Sequence, residues 1–393
     1  MPKIIIAPDS FKETLTAVDV AHTIEVALKR AMPDAQTTCL PLADGGEGTV
    51  ETLVKALNGQ LIETVVQGPL GGLGIDVCAQ WGLIPASTKH SNPNDNDIAI
   101  IDVACASGLA LISKEKRNPS ITTTYGTGQL IAKALDMGVR DFIIGLGGSA
   151  TNDAGTGLLR ALGLELLDQQ GAPLPFGAAA LANLHTISTH SLDPRLVETK
   201  FWVACDVDNP LLGDQGASAI YGPQKGASQT MVKELDVALE HFANLSETKV
   251  GKAHRHKKGA GAAGGVGFGL MQYTNAQFRP GIDLILDYLD FDSKIKGADF
   301  VITGEGRLDA QSLNGKAITG VAKRAKQQGI PVIALAGSVE LTPAQMAQVG
   351  IDACFSIVPG VSSLSEALAN AELNLDQCAY NIAQMIKLTH FNT

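Results

Sequence analysis

Short apolar runs and amphipathic stretches alternate at both ends of the chain. Residues 3–7, with the apolar run Ile4-Ile5-Ile6 at their centre, predict a strand that stops at Pro8 and Asp9. A helix is predicted next, because Thr16 with Asp19 three positions on forms a capping box. Val20, Ile24, Ala27 and Ala31 follow at helical spacing, and Pro33 marks the end. A second strand over residues 37–42 leads into Ala43-Asp44-Gly45-Gly46-Glu47-Gly48-Thr49 and a helix over residues 50–57. Towards the C-terminus, β-type runs at residues 300–303, 331–336 and 353–357 are separated by helical stretches. One of these opens at Gly315 and Lys316. Strand–loop–helix units in series predict a parallel, doubly wound sheet.

The middle of the chain breaks this rhythm. Residues 70–281 are richer in glycine, carry β-like runs at 98–103 and 201–204, and hold a polar stretch at 87–97. At 393 residues the chain also exceeds the size at which a single core stops growing. The expected fold class is therefore α/β with two α/β domains. A Rossmann-like doubly wound parallel sheet takes residues 1–69 and 282–393, and a second α/β domain, residues 70–281, is inserted into it. Within the insert, residues 249–258 are basic. Residues 259–269 contain six glycines, too many for regular structure throughout. This stretch reads either as a cover over phosphates or as a solvated loop. His254 and His256, one residue apart with no further Cys or His nearby, make a poor metal pair.

Composition narrows the function. The hydrophobic content of 45% supports folded cores, while 5% aromatic residues argue against a nucleic-acid reader that stacks bases. A net charge of −10 disfavours nucleic acids and anionic membranes as partners. Six scattered cysteines without a C-x-x-C pair read as reduced thiols. No apolar span of membrane length is present. A cytoplasmic location is expected, and a homo-oligomer stays open.

Several glycine-rich or acidic segments follow predicted strands, where open α/β sheets bind ligands. Asp9, Ser10 and Lys12 follow the first. Asp44, Gly45, Gly46 and Glu47 follow the second, with glycines that let backbone approach a ligand closely. Gly304, Glu305, Arg307 and Asp309 follow the strand at 300–303. Here Arg307 suits a bidentate clamp on carboxylate or phosphate, and Asp309 suits a base or a Mg²⁺ ligand. In the insert, Gly147, Gly148, Ser149 and Asn152 lie between a strand at 142–144 and a helix. Their amides and small side chains suit phosphate oxygens. Residues 122–128, rich in Thr, open another helix and read equally as a cap. Asp206 and Asp208 read either as metal ligands or, preferably, as turn residues before Asn209-Pro210. Carboxylates with anion-binding backbone suit phosphoryl transfer, which asks for positioning and charge neutralisation more than covalent chemistry.

The absences are also informative. There is no G-x-x-x-x-G-K-[ST], no protein-kinase signature, no H-E-x-x-H and no G-x-S-x-G. The alternative is an NAD(P)-dependent hydroxyacid oxidoreductase that uses residues 145–150 as a G-x-G-x-x-A turn. It would place Glu165 as the ribose-binding acid. A non-catalytic sugar-acid-binding regulator is a third reading, but it leaves the acidic loops unexplained.

Taken together, APDSFKETLTA, LADGGEGT, RNPSITTTYGTGQLI, GLGGSATNDAG, ACDVDNPLLG, GAAGGVGFGL, FRPGID and TGEGRLDAQSLNGK resemble the bacterial type I glycerate kinase family, in that order. The resemblance implies ATP- and Mg²⁺-dependent phosphorylation of D-glycerate, with 2-phosphoglycerate the favoured product. It implies a role in glyoxylate, glucarate or galactarate catabolism, and an active cleft between two α/β domains. It carries Asp9, Ser10, Lys12, Asp44, Gly45, Gly46, Glu47, Gly304, Glu305, Arg307 and Asp309 to the cleft. Lys12, Arg307, Asp44 and Asp309 would be catalytic; Asp44, Glu47 and Asp309 would hold the metal. Gly147, Gly148, Ser149 and Asn152 face it from the insert. The chain departs from the family pattern at Asp102, where some members have Glu, at Ala154, where many have Gly, and in residues 87–97, which have no fixed counterpart.

Overall fold

A computed structural model describes residues 1–43, 48–71, 75–86, 96–310, 312 and 317–390. The first strands are β1 (Lys3–Ile6), β2 (Gln36–Cys39), β3 (Gln60–Gln67), β4 (Asp76–Ile84), β5 (Ile98–Asp102) and β6 (Asp141–Gly145). They are followed by β7 (Glu165–Leu167), β8 (Thr186–Ser188), β9 (Lys200–Ala204), β10 (Gln277–Arg279), β11 (Phe300–Leu308), β12 (Val332–Val339) and β13 (Ala353–Ser356). The chain divides into two compact units, Met1–Asp44 with Ile282–Thr393 and Gly45–Gly281.

The first unit is built on a wholly parallel sheet in the order β13-β12-β11-β1-β2. Ile4, Ile5 and Ile6 of β1 are fully buried, as a central strand covered on both faces requires. The helix Ala17–Ala31 forms as its sequence predicts, with the Thr16–Asp19 capping box made in both directions. Such a cap contributes about 1 kcal/mol. Its Val20, Ile24, Ala27 and Leu28 join Leu375, Ile382 and Ile386 of the C-terminal helix in the core that covers β1. Each fully buried Leu or Ile stabilises by about 1.5–3 kcal/mol.

The second unit carries a mixed sheet, β10-β9-β6-β5-β4-β3. β3, β4 and β5 pair antiparallel, and β5, β6, β9 and β10 run parallel. Trp81, Phe142, Phe201, Phe242 and Phe268 lie in its core. The join between the units falls earlier than the sequence suggests, at Asp44/Gly45 rather than 69/70. The reason is packing. The helix Thr49–Ala56 lies on β4, where an added Cβ at Gly82 would come within 2.5 Å of Val54, and β3 pairs with β4 along its whole length.

The run at 300–303 is likewise longer than expected. β11 continues through Gly304, Glu305, Gly306 and Arg307 to Leu308, paired with β12 as far as Val339. Glycine here serves strand packing rather than a turn: a Cβ at Gly304 would sit 2.5 Å from the Leu335 carbonyl oxygen. No helix among the described residues is long and apolar enough to cross a membrane.

Candidate active site

In the first unit, strand order reverses between β1 and β11, since β1 leads outward to β2 on one side and the chain returns through β11, β12 and β13 on the other. In parallel sheets such a reversal opens a crevice at the carboxyl ends of the strands. Asp9, Ser10 and Lys12 follow β1 at this point. The Asp9 N–H donates to the Gly304 carbonyl at 2.8 Å, and Thr303 Oγ1 donates to the Ala7 carbonyl at 2.8 Å. Asp9 and Glu305 are only 8% and 6% exposed. The Ser10 N–H donates to Asp9 Oδ1 at 2.6 Å, and Lys12 is exposed. Gly306 admits the Phe11–Lys12 backbone: a Cβ there would stand 3.4 Å from the Lys12 nitrogen.

Glu305 and Arg307 occupy alternate positions of β11, which puts them on one face, and Asp309 is the first residue past the strand. Arg307 is 62% exposed rather than buried, with Nε 3.2 Å from Asp309 Oδ2 and a terminal nitrogen 2.8 Å from Glu340 Oε1. Exposed pairs of this kind contribute at most about 1 kcal/mol. Asp309 starts a turn: its N–H donates to Ser312 Oγ at 3.2 Å, and the Ser312 N–H returns to Asp309 Oδ1 at 3.3 Å. Asp44, Gly45, Gly46 and Glu47 lie outside the described residues, as do Gly315 and Lys316. Among the described residues, no group of three His, Cys, Asp or Glu side chains is gathered as a metal site.

In the second unit the end of β6 delivers residues 146–153. Gly147 and Gly148 are exposed, and Gly148 has a left-handed backbone (φ +70°). Among the described residues, the amides of Gly147, Gly148 and Ser149 donate to no protein acceptor. Consecutive free N–H groups at a strand end form an anion-binding concavity. The rest of the loop is tied down. Leu109 N–H donates to the Gly148 carbonyl at 2.9 Å, Ala150 N–H to the Ser107 carbonyl at 2.8 Å, and Thr122 Oγ1 to the Ala150 carbonyl at 2.9 Å. Asn152 is fully buried, its amide donating to Ser218 Oγ at 2.9 Å.

Asp153, also fully buried, accepts from Thr124 N–H and Oγ1, both at 2.9 Å, and from the N–H groups of Gly155 and Gly157, both at 3.1 Å. Burial raises its pKa, while those hydrogen bonds oppose the rise. The Thr-rich segment thus serves a buried aspartate rather than only capping the helix Tyr125–Asp136, whose N-cap Thr124 makes no side-chain cap bond.

The glycine-rich stretch is neither a cover nor a solvated loop. It enters the helix Ala262–Tyr273 through left-handed Ala263, Gly264 and Gly265, and it is buried against the loop. A Cβ on Gly264 would lie 1.9 Å from the Thr151 carbonyl oxygen. The basic stretch before it is partly paired, with Arg255 2.7 Å from Glu247 and Lys258 2.6 Å from Asp208. Asp206 accepts the Gly281 N–H at 3.0 Å, as suits a turn residue.

Sequence reasoning missed Lys225. Its side chain is buried, and Nζ donates to Ser149 Oγ at 2.8 Å and to the Thr151 carbonyl at 2.6 Å. Nothing in Gly222-Pro223-Gln224-Lys225-Gly226 marks it beyond turn chemistry. The dinucleotide reading loses its geometric support. β7, which carries Glu165, pairs with β8 in a separate two-stranded ribbon, while β6 is flanked by β5 and β9. Glu165 therefore does not end a strand beside β6, as the ribose-binding acid of that turn should.

The glycerate kinase family profile matches residues 4–387. A Haemophilus influenzae protein named glycerate kinase is 52% identical over 384 residues, 98% of each chain. Glycerate 2-kinase of Escherichia coli is 45% identical over 386 residues, again 98% of each. A crystal structure from Salmonella typhimurium, provisionally named glycerate kinase 2, superposes with a TM-score of 0.88 at 44% identity, covering 99% of both chains. By profile, by sequence and by fold, the chain belongs to the glycerate kinase family.

Proposed function

We propose that the protein transfers the γ-phosphoryl group of ATP to the 2-hydroxyl of D-glycerate, giving 2-phosphoglycerate and ADP with Mg²⁺ as the helper ion. The observation that carries this reading is the chemistry of the two strand-end sites in a chain of this family. The first unit offers carboxylates, Arg307 and Lys12 at its topological switch point, and the second offers the free amides of Gly147, Gly148 and Ser149.

In this reading those amides take the phosphate oxygens, which are favoured where N–H groups converge. Arg307 or Lys12 takes the glycerate carboxylate. Arg307 is exposed and only loosely held by Glu340 and Asp309, so it turns to a ligand at small cost. Asp9 and Glu305, with Ser10, shape the crevice. Asp309 orients the attacking hydroxyl and accepts its proton as the oxygen bonds to phosphorus and the bond to the bridging oxygen breaks. Asp44, Glu47 and Asp309 would hold Mg²⁺. An all-oxygen donor set suits that hard ion. When bound, Mg²⁺ neutralises charge on the phosphate oxygens. Six free cysteines agree with a cytoplasmic setting.

The test is ³¹P NMR of the product formed from ATP, Mg²⁺ and D-glycerate. A monoester coupled to the C2 proton is expected. A signal at the 3-position sinks the regiochemistry, and no product at all sinks the reading.

A further inference from the structure

We propose that Lys225 is a positioning residue for the nucleotide phosphates, supplying through Ser149 the positive charge that the Gly147–Ser149 amides alone lack. The inference rests on the nucleotide reading of that loop and deepens it. Lys225 is 2% exposed. Lysine is almost never so deeply buried without an anionic partner, since desolvating an ammonium is costly. Yet its ammonium meets two neutral acceptors, Ser149 Oγ at 2.8 Å and the Thr151 carbonyl at 2.6 Å. Among the described residues no carboxylate stands within ion-pair distance of it. Asp153, the acid whose field reaches Lys225, is already committed to four hydrogen-bond donors. The ammonium is therefore undercompensated in the protein alone.

What would compensate it lies next to Ser149. The serine oxygen accepts from Lys225, so its single O–H is free to donate elsewhere, and among the described residues it has no acceptor. A hydroxyl that accepts from a cation is a strengthened donor, because hydrogen bonds in a chain polarise one another. Ser149 adjoins two exposed glycines whose amides are also unused. Three amides, one polarised hydroxyl and a buried cation behind them form a cradle for an anion with several oxygens. In this reading that anion is a phosphate of ATP. Lys225 does not touch it; the charge acts through Ser149 and the shape of the loop. Burial holds the ammonium pKa down to about 7, so an anion in the cradle would also favour its charged form.

The experiment measures kcat and the KM values for ATP and D-glycerate in Ser149→Ala, Lys225→Met and the double variant, with thermal melts alongside. The expected result is at least a tenfold rise in KM for ATP in Lys225→Met, glycerate KM within about twofold, and an effect in the double variant smaller than the product of the single effects. An unchanged KM for ATP in Lys225→Met, with only a lower melting temperature, makes the lysine a structural prop and overturns the proposal. So does multiplicative behaviour of the two substitutions. Should Lys225→Met fail to fold, Lys225→Gln keeps a donor without the charge, and the same selective rise is required of it. If Ser149→Ala leaves KM for ATP unchanged in an active enzyme, the nucleotide reading of the loop fails first, and the proposal falls with it in a recognisably different way.

Discussion

The backbone N–H of Asp9 donates to the carbonyl of Gly304 at 2.8 Å, joining residues from the two ends of the chain just beyond the last β1–β11 register pair, Ile6 with Ile302. The bond carries the ladder past the end of β1 and sets the Asp9 carboxylate beside the strand that bears Glu305, Arg307 and Asp309. Because β11 stays extended through Leu308, Glu305 and Arg307 ride on a paired strand rather than a free loop, and Asp309 follows directly at its end. A site on a rigid element keeps its geometry at lower entropic cost.

Asp309→Asn follows from this placement. The turn made with Ser312 keeps its backbone half in the variant, since the Asp309 N–H still reaches Ser312 Oγ. The loss is therefore chemical. In the role proposed for Asp309, removing the group that accepts the hydroxyl proton costs roughly 10²–10⁴ in rate. Steady-state kinetics should show kcat lowered by about that factor with a modest change in glycerate KM. An unaltered kcat removes Asp309 from the catalytic set.

Arg307→Ala separates binding from stability. The side chain is 62% exposed, and its ion pairs with Asp309 and Glu340 are surface pairs, so the melting temperature should barely move. With Arg307 in the proposed role of a charge-assisted clamp on the substrate carboxylate, the glycerate KM should rise about tenfold or more. Lys, which cannot reproduce the planar fork, should rescue only in part. An unchanged glycerate KM would assign the carboxylate to Lys12 instead.

The sequence made some of this legible and hid the rest for identifiable reasons. The Thr16–Asp19 box, the Ile4–Ile6 strand and the strand before Gly147 announce themselves by local chemistry, and local chemistry decides them. The Gly-Glu-Gly of β11 reads as a loop after the strand by the same logic. What overrides it is a partner strand with the small residues Ala336, Gly337 and Ser338, a long-range contact no window contains. The glycines of residues 259–269 suggest looseness, yet Gly264, Gly265 and Gly269 are buried where the Thr151–Ala154 backbone comes too close for a side chain. Lys225 is hidden most completely, since burial of a lysine in a Pro-Gly turn leaves no periodic trace.

Gly264→Ala tests that close packing. The new Cβ would stand 1.9 Å from the Thr151 carbonyl oxygen, at a backbone φ of +68° that disfavours any side chain. Overpacking and strain together should destabilise by about 1–3 kcal/mol or more. The same carbonyl receives Lys225, so the damage falls on the candidate phosphate loop. A lower denaturation midpoint accompanied by a raised KM for ATP is expected. A midpoint equal to that of the parent would mean the two backbones separate freely and the loop is not held as described.

Asp102→Asn isolates a pH effect. Asp102 ends β5 opposite Gly145 in register, with one carboxylate oxygen buried and lacking a partner. Burial pushes its pKa up from 3.8 to about 7, against a hydrogen bond from the Val50 backbone. The folded protein therefore holds the proton more tightly than the unfolded chain, and the sign follows from linkage. Stability from this group is fully present below about pH 4 and is lost as pH rises to about 7, where the carboxylate must charge in place. Lys225 works in a different window: its pKa falls from 10.5 to about 7, so its penalty is relieved as pH climbs above neutrality. Comparing Asp102→Asn with the parent at each pH cancels the lysine contribution. The variant should gain on the parent between pH 5 and pH 8, read as denaturation midpoints at the two values. A difference that stays constant across that interval would mean the carboxylate is already solvated or paired, and the buried charge proposed for the end of β5 would not exist.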